Sequence, residues 1–127
     1  MDRLDAFMAD YVAGTGANFL SPRTRVFMPG VVLLEVNKFA GTIRLGSIQS
    51  NYEPSHGHAT AAVVWLKGLA DKHGVQITGT VKAYGQSSVA RTLPKTKRLL
   101  IWYVRNGFRK TGGNETDGYD IVYGKEV

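Results

Sequence analysis

The chain has 127 residues, 43% of them hydrophobic, with no cysteine and a formal net charge of +6. That is one domain's length with enough apolar content for a core, and it excludes disulfides, thiolate metal sites and cysteine nucleophiles. No apolar run approaches the roughly 20 residues of a membrane helix, the start Met1-Asp2-Arg3-Leu4-Asp5 lacks a signal peptide's basic and then apolar pattern, and a basic surface favours polyanionic partners, nucleic acid or a phosphorylated cofactor alike. A cytoplasmic setting is expected.

Leu4, Phe7, Met8 and Tyr11 recur at helical spacing, so residues 2–13 are predicted to form a helix ended by Gly14-Thr15-Gly16. Residues 17–23 read as loop and 25–28 as a short strand stopped by Pro29-Gly30. Residues 31–36 and 42–50 read as an antiparallel hairpin around a turn at 37–41. In its second strand Ile43, Leu45 and Ser47 are predicted on one side, with Arg44, Gly46, Ile48 and Ser50 on the other. Gly46 inside the strand signals a bulge or a close backbone approach.

The strongest pattern runs from Gly57 to His73, where Ala59, Ala62, Val63, Leu66 and Ala70 line one helix face, and Gly74 supplies the stop. Residues 75–84 alternate as a strand, 85–93 read as loop, and 96–105 as a helix closed by Asn106-Gly107. Thr111 to Gly118 reads as a flexible approach to a last strand, 119–127. Leu99 and Trp102 are predicted as core residues, with Leu66 and Val63 as partners. The order of elements implies an α/β layer fold with a mixed sheet.

Two segments carry chemistry. The run Ser47 to Ala62 takes a strand through a small-residue loop into a helix, whose first N–H groups lack internal partners and whose dipole is positive there. A pyrophosphate fits such a place, although one glycine before a helix is more often only a cap or turn. The second segment, Leu99 to Phe108, places Trp102-Tyr103 near a helix end ahead of Gly107-Phe108. By itself that is ordinary core packing.

In this order and separation the two segments resemble the GNAT (GCN5-related N-acetyltransferase) family. Gly57-His58-Ala59 matches the last three positions of the family loop Arg/Gln-x-x-Gly-x-Gly/Ala, and Tyr103 stands four residues before Gly107-Phe108 as the family's late-helix tyrosine does. Residues 69–75 and the Trp102-Tyr103 pair look like the short members often encoded by bacteriophages. The resemblance covers roughly residues 31–127. Pro54 stands where the family has Arg or Gln, and Thr96 where it often has Asn.

The resemblance implies one GNAT-like domain over 1–127 with a shortened, atypical part over 1–30. It implies a mixed, mostly antiparallel central sheet, helices on both faces, and a splayed cofactor cleft between two central strands, about Ile48–Asn51 and Gln76–Val81. Acetyl-CoA is the implied co-substrate, held by Ile48, Gln49, Ser50, Ser55, His56, Gly57, His58, Ala59 and Thr60, with no metal. A backbone N–H near Ile48 or Gln49 would meet the developing oxyanion, Tyr103 would be the general acid, and Glu35 or Glu53 the base. The acceptor is an amine on a protein, a small molecule or an aminoacyl-tRNA, and the net charge leans toward an acidic macromolecule. The alternative is an inactive protein of the same fold that binds CoA or a host macromolecule. A nucleic-acid-binding module, suggested by Lys95, Lys97, Arg98, Arg105, Arg109 and Lys110 around the aromatic pair, ranks third. A homodimer is left open.

Overall fold

The computed structural model describes residues 2–18, 23–28, 32–50, 57–82 and 95–125. Helix α1 (Arg3–Ala13) is started by Asp2, whose carboxylate accepts the Asp5 N–H at 2.8 Å, the N-cap geometry that satisfies an otherwise orphaned donor. Two short strands follow, β1 (Gly16–Ala17) and β2 (Arg25–Phe27). Strands β3 (Val32–Phe39) and β4 (Thr42–Ser50) form the expected hairpin. Its turn is shorter than the sequence implied, because Ala40 (φ 51°) and Gly41 (φ 80°) alone close it, the doubly positive geometry that suits the strand twist.

Helix α2 (His58–His73) lies between two left-handed glycines, Gly57 and Gly74. It leads into β5 (Ile77–Val81), and α3 (Lys95–Arg105) precedes a hairpin of β6 (Arg109–Asn114) and β7 (Gly118–Tyr123). The extension of β5 to Tyr84 falls partly outside the described residues, and the last strand ends at Tyr123. Strand β6 corrects the sequence reading, which took residues 111–118 for a flexible approach. Arg-Lys-Thr-Gly-Gly-Asn carries no apolar alternation, and as an edge strand paired only with β7 it needs none.

The seven strands order as β1-β2-β3-β4-β5-β7-β6, antiparallel except for the β4–β5 pair. The fold class is therefore the expected one, a mixed, mostly antiparallel sheet with helices. One core runs through Phe7 and Tyr11 of α1, Val63 and Leu66 of α2, Leu100 and Tyr103 of α3, and Leu34, Ile43, Ile77, Val81 and Ile121 of the sheet. Leu99 and Trp102 pack against it partly buried. All three helices thus cover one side of the sheet, where the sequence reading had them on both. The opposite side, carrying Glu35, Arg44, Thr78, Thr80 and Asp120 by strand alternation, meets no helix among the described residues. Nor is any described helix long and apolar enough to cross a membrane.

Candidate functional site: a cleft between two parting strands

Parallel pairing of β4 with β5 is confined to Ile43–Ile77, Arg44–Thr78 and Leu45–Gly79. Two glycines mark the point of parting. Gly79 lets the backbones close tightly at the last pair, since a Cβ there would stand 2.9 Å from the Leu45 carbonyl oxygen. On β4, Glu35 pairs with Ser47 but Val36 with Leu45, which leaves Gly46 as an extra, unpaired residue. Such a bulge bends its strand and raises its twist. Beyond it, residues 46–50 and 80–81 run on without pairing to each other, so the β4 edge has backbone groups that β5 does not satisfy.

The bulge also corrects the expected facing of β4. It shifts the alternation by one residue, so Ile48 pairs opposite buried Leu34 and packs on the core with Ile43 and Leu45, while Ser47 is exposed on Arg44's side. The glycine is legible in the sequence, but strand alternation alone does not show the shift that a bulge imposes on the residues after it.

Between the parted strands opens a cleft of about 610 Å³. Gly46, Ser47, Ile48 and Gln49 form one wall, Thr80, Val81 and Lys82 the other; Leu99 and Tyr103 reach in from α3, and Arg44 stands at one end. Ile48, Gln49 and Tyr103, three of the residues named from the sequence, thus line one space. Arg44, Lys82 and Leu99 are lining residues that the sequence reading missed. Arg44 lies two positions before Gly46 on the exposed side of the strand, a placement that alternation alone could have flagged.

Tyr103 is 6% exposed. Its ring stands edge-on to Trp102 (4.8 Å between centroids) and to Phe108 (5.4 Å). The Gly107-Phe108 pair has a structural cause. Gly107 is left-handed (φ 93°), its N–H donates to Val104 O at 3.0 Å, and the Phe108 N–H donates to Tyr103 O at 3.1 Å. That is a Schellman helix end with its usual apolar contact, here Phe108 on Tyr103. The motif explains the glycine, the phenylalanine and the ring of Tyr103, and leaves the hydroxyl unused. The hydroxyl has no hydrogen-bond partner among the described residues, and burial pushes its pKa well above that of a free tyrosine.

Glu35 comes to the same neighbourhood from β3. It lies opposite Ser47 on the helix-free side, and its carboxyl rests over the bulge, where a Cβ on Gly46 would meet its Cδ at 3.1 Å. Gly57 has φ 76° and serves as N-cap without a side-chain bond, and the first turn of α2 carries no acidic residue. His58, Ala59 and Thr60 open the helix, and among the described residues no atom outside its chain neighbours lies within 4 Å of where a Gly57 Cβ would be. This end of α2 is positively polarised, as the first turn of any helix is. Ser55 and His56, together with Glu53 and Pro54, lie outside the described residues, as does the side chain of Ser50. Among the described residues no three His, Asp or Glu side chains cluster as metal ligands would.

Several solved structures share this architecture. The anti-CRISPR protein AcrVA5 matches with a TM-score of 0.57 at 14% identity, over 79% of this chain and 97% of its own. The PaiA N-acetyltransferase of Thermoplasma acidophilum, solved with coenzyme A, matches at 0.55 and 10% identity over 80% of this chain, which spans 54% of that protein. Naa50 of Arabidopsis thaliana, solved with the bisubstrate analogue CoA-Ac-MVNAL, matches at 0.53 and 13% identity over 95% of this chain and 81% of its own. At these identities the likeness shows the fold, which is that of the GNAT acetyltransferases. No family model and no curated protein matches the sequence.

Proposed function

We propose that the protein is an acetyl-CoA-dependent N-acetyltransferase acting on a primary amine. The observation that carries this reading is the cleft itself, a splay between β4 and β5 with Tyr103 on its wall; the segment that follows β4 leads to a helix start with glycine as its N-cap, Gly57–Thr60.

The residues present fit the co-substrate. Backbone N–H groups at His58, Ala59 and Thr60 suit a pyrophosphate, and the open space at Gly57 removes the side chain that would obstruct it. The unpaired β4 edge suits the amides of a pantetheine arm, which can add to it as a strand adds to a sheet. Acetyl-CoA supplies a thioester whose carbonyl is open to attack by an amine, forming the C–N bond as the C–S bond breaks. Glu35, whose carboxyl lies over the bulge, is the candidate base for the proton the amine must lose. Tyr103 holds a proton at its phenol oxygen through the neutral range, and is the group that can return one to the departing thiolate. A backbone N–H near Ile48 or Gln49, beside the bulge, is the candidate donor to a developing oxyanion.

The test is transfer of labelled acetyl from acetyl-CoA to amines in a cell lysate and then to a purified acceptor. Transfer that depends on Tyr103 is expected. Tight acetyl-CoA binding with no transfer to any amine would replace this reading with that of a non-catalytic CoA-binding protein.

A further inference from the structure

The helix-free side of the sheet carries a row the proposed chemistry does not use. Strand register aligns Arg44 of β4 with Thr78 of β5, Thr78 with Val122 of β7, and Val122 with Arg109 of β6. Two guanidiniums therefore flank Thr78 and Val122, three strand spacings or roughly 14 Å apart at their backbones. They border a groove of about 540 Å³, a size within the roughly 300–1,000 Å³ of small-molecule sites. Neither arginine has a carboxylate partner among the described residues. Arg44 donates to Thr80 Oγ1 at 3.5 Å and lies over the Phe39 ring, and Arg109 donates to Gly124 O at 2.8 Å. Arg44 also borders the β4–β5 cleft, so groove and cleft meet at this one side chain.

The same side carries two carboxylates. Asp120 borders the groove and accepts from Thr80 at 3.2 Å, and Glu35 lies over Gly46 beside the cleft. A polyphosphate backbone would meet both as like charges, at a cost. A small zwitterion would not, since its ammonium is drawn to the carboxylates and its carboxylate to the guanidiniums, which accept carboxylate oxygens in a bidentate fork.

We propose that the Arg44–Thr78–Val122–Arg109 row is the acceptor site, and that it takes amino-acid-like acceptors by their carboxylate while presenting their amine to the cleft. The inference rests on the acetyltransferase reading and narrows its acceptor from any amine to one that bears a carboxylate.

The experiment pairs acceptors that share an amine and differ in the carboxylate: lysine with cadaverine, ornithine with putrescine, tyrosine with tyramine, tryptophan with tryptamine. Acetyl transfer is expected within the carboxylate-bearing members only. Arg44→Gln and Arg109→Gln are each expected to raise KM for the preferred member at least tenfold, and Arg109→Gln, which lies outside the cleft, to leave acetyl-CoA affinity by calorimetry unchanged. Without acetyl-CoA, adding that member is expected to shift the amide NMR signals of Thr78 and Val122, and its decarboxylated twin is not. Equal use of both members of a pair, no transfer to any member by a protein that binds acetyl-CoA, or unchanged KM in both variants would overturn the proposal while leaving the acetyltransferase reading in place. Failure to bind acetyl-CoA would remove that reading, and this one with it.

Discussion

Replacing Tyr103 with Phe keeps the edge contacts with Trp102 and Phe108 and the helix end they close, and removes only a hydroxyl that has no partner among the described residues. The Tyr103→Phe protein is therefore expected to melt like the parent and to bind acetyl-CoA as well, while turnover falls about 10²–10⁴-fold, the usual worth of general acid catalysis. A lower melting temperature with unchanged turnover per folded molecule would make Tyr103 a packing residue only. Alkaline pH offers a second check on the buried tyrosines. Burial pushes Tyr11 up to about 12 and Tyr103 higher still, against about 10 in an unfolded chain. The folded state thus holds these protons more tightly. Its stability is full below pH 10 and is lost as pH rises from there through the folded values. Thermal melts from pH 8 to 12 should show that loss, and Tyr103→Phe should reduce it.

The boundaries of α1, α2 and α3 were legible to within a residue, because Asp2, Gly57, Gly74 and the Asn106-Gly107 pair each perform a local capping task. Local signals fail where the cause is distant. Strand β6 takes its strand pairing from β7, so nothing in Arg109–Asn114 announces it, and the bulge at Gly46 reverses the facing of Ser47 and Ile48 from across the β3 ladder. The parting of β4 and β5 turns on Gly79 in the same non-local way. A Gly79→Ala change would push a methyl to 2.9 Å from the Leu45 carbonyl oxygen, where backbone has to move. Overpacking of this kind costs about 1–3 kcal/mol, and chemical denaturation of the variant should show a loss in that range. A Gly79→Ala protein as stable as the parent would show that the two strands are not locked at this pair. Trp65 joins three elements, stacking at 5.2 Å on Phe27 and 6.3 Å on Tyr11 while its ring fills the space a Gly14 side chain would need. Trp65→Ala is expected to cost about 3 kcal/mol, the lower end for a truncated Trp because the side chain is only partly buried.

At the scale of the molecule, three helices cover one side of a seven-stranded sheet, and no described helix covers the other. That division places the proposed co-substrate groups, Gly57–Thr60 and Tyr103, on elements of the covered side, and Glu35 and Arg44 on the open side, with the β4–β5 cleft joining the two. Sequence pattern carried the mixed sheet and the two site segments. It could not carry which side each helix covers, because that depends on how β3, β4 and β5 face after the bulge. It also missed Arg44, whose importance arises from register with Thr78, Val122 and Arg109 on three other strands.

The central claim is that acetyl-CoA binds at the start of α2 and along the cleft. Calorimetric titration of the protein and of Gly57→Glu with acetyl-CoA tests it most directly. Gly57→Ala is the control, since it adds left-handed strain of about 1 kcal/mol and meets no neighbouring atom among the described residues. One-to-one binding by the parent and by Gly57→Ala, abolished in a folded Gly57→Glu protein, is the expected result. No binding by the parent, or equal binding by Gly57→Glu, would contradict the account.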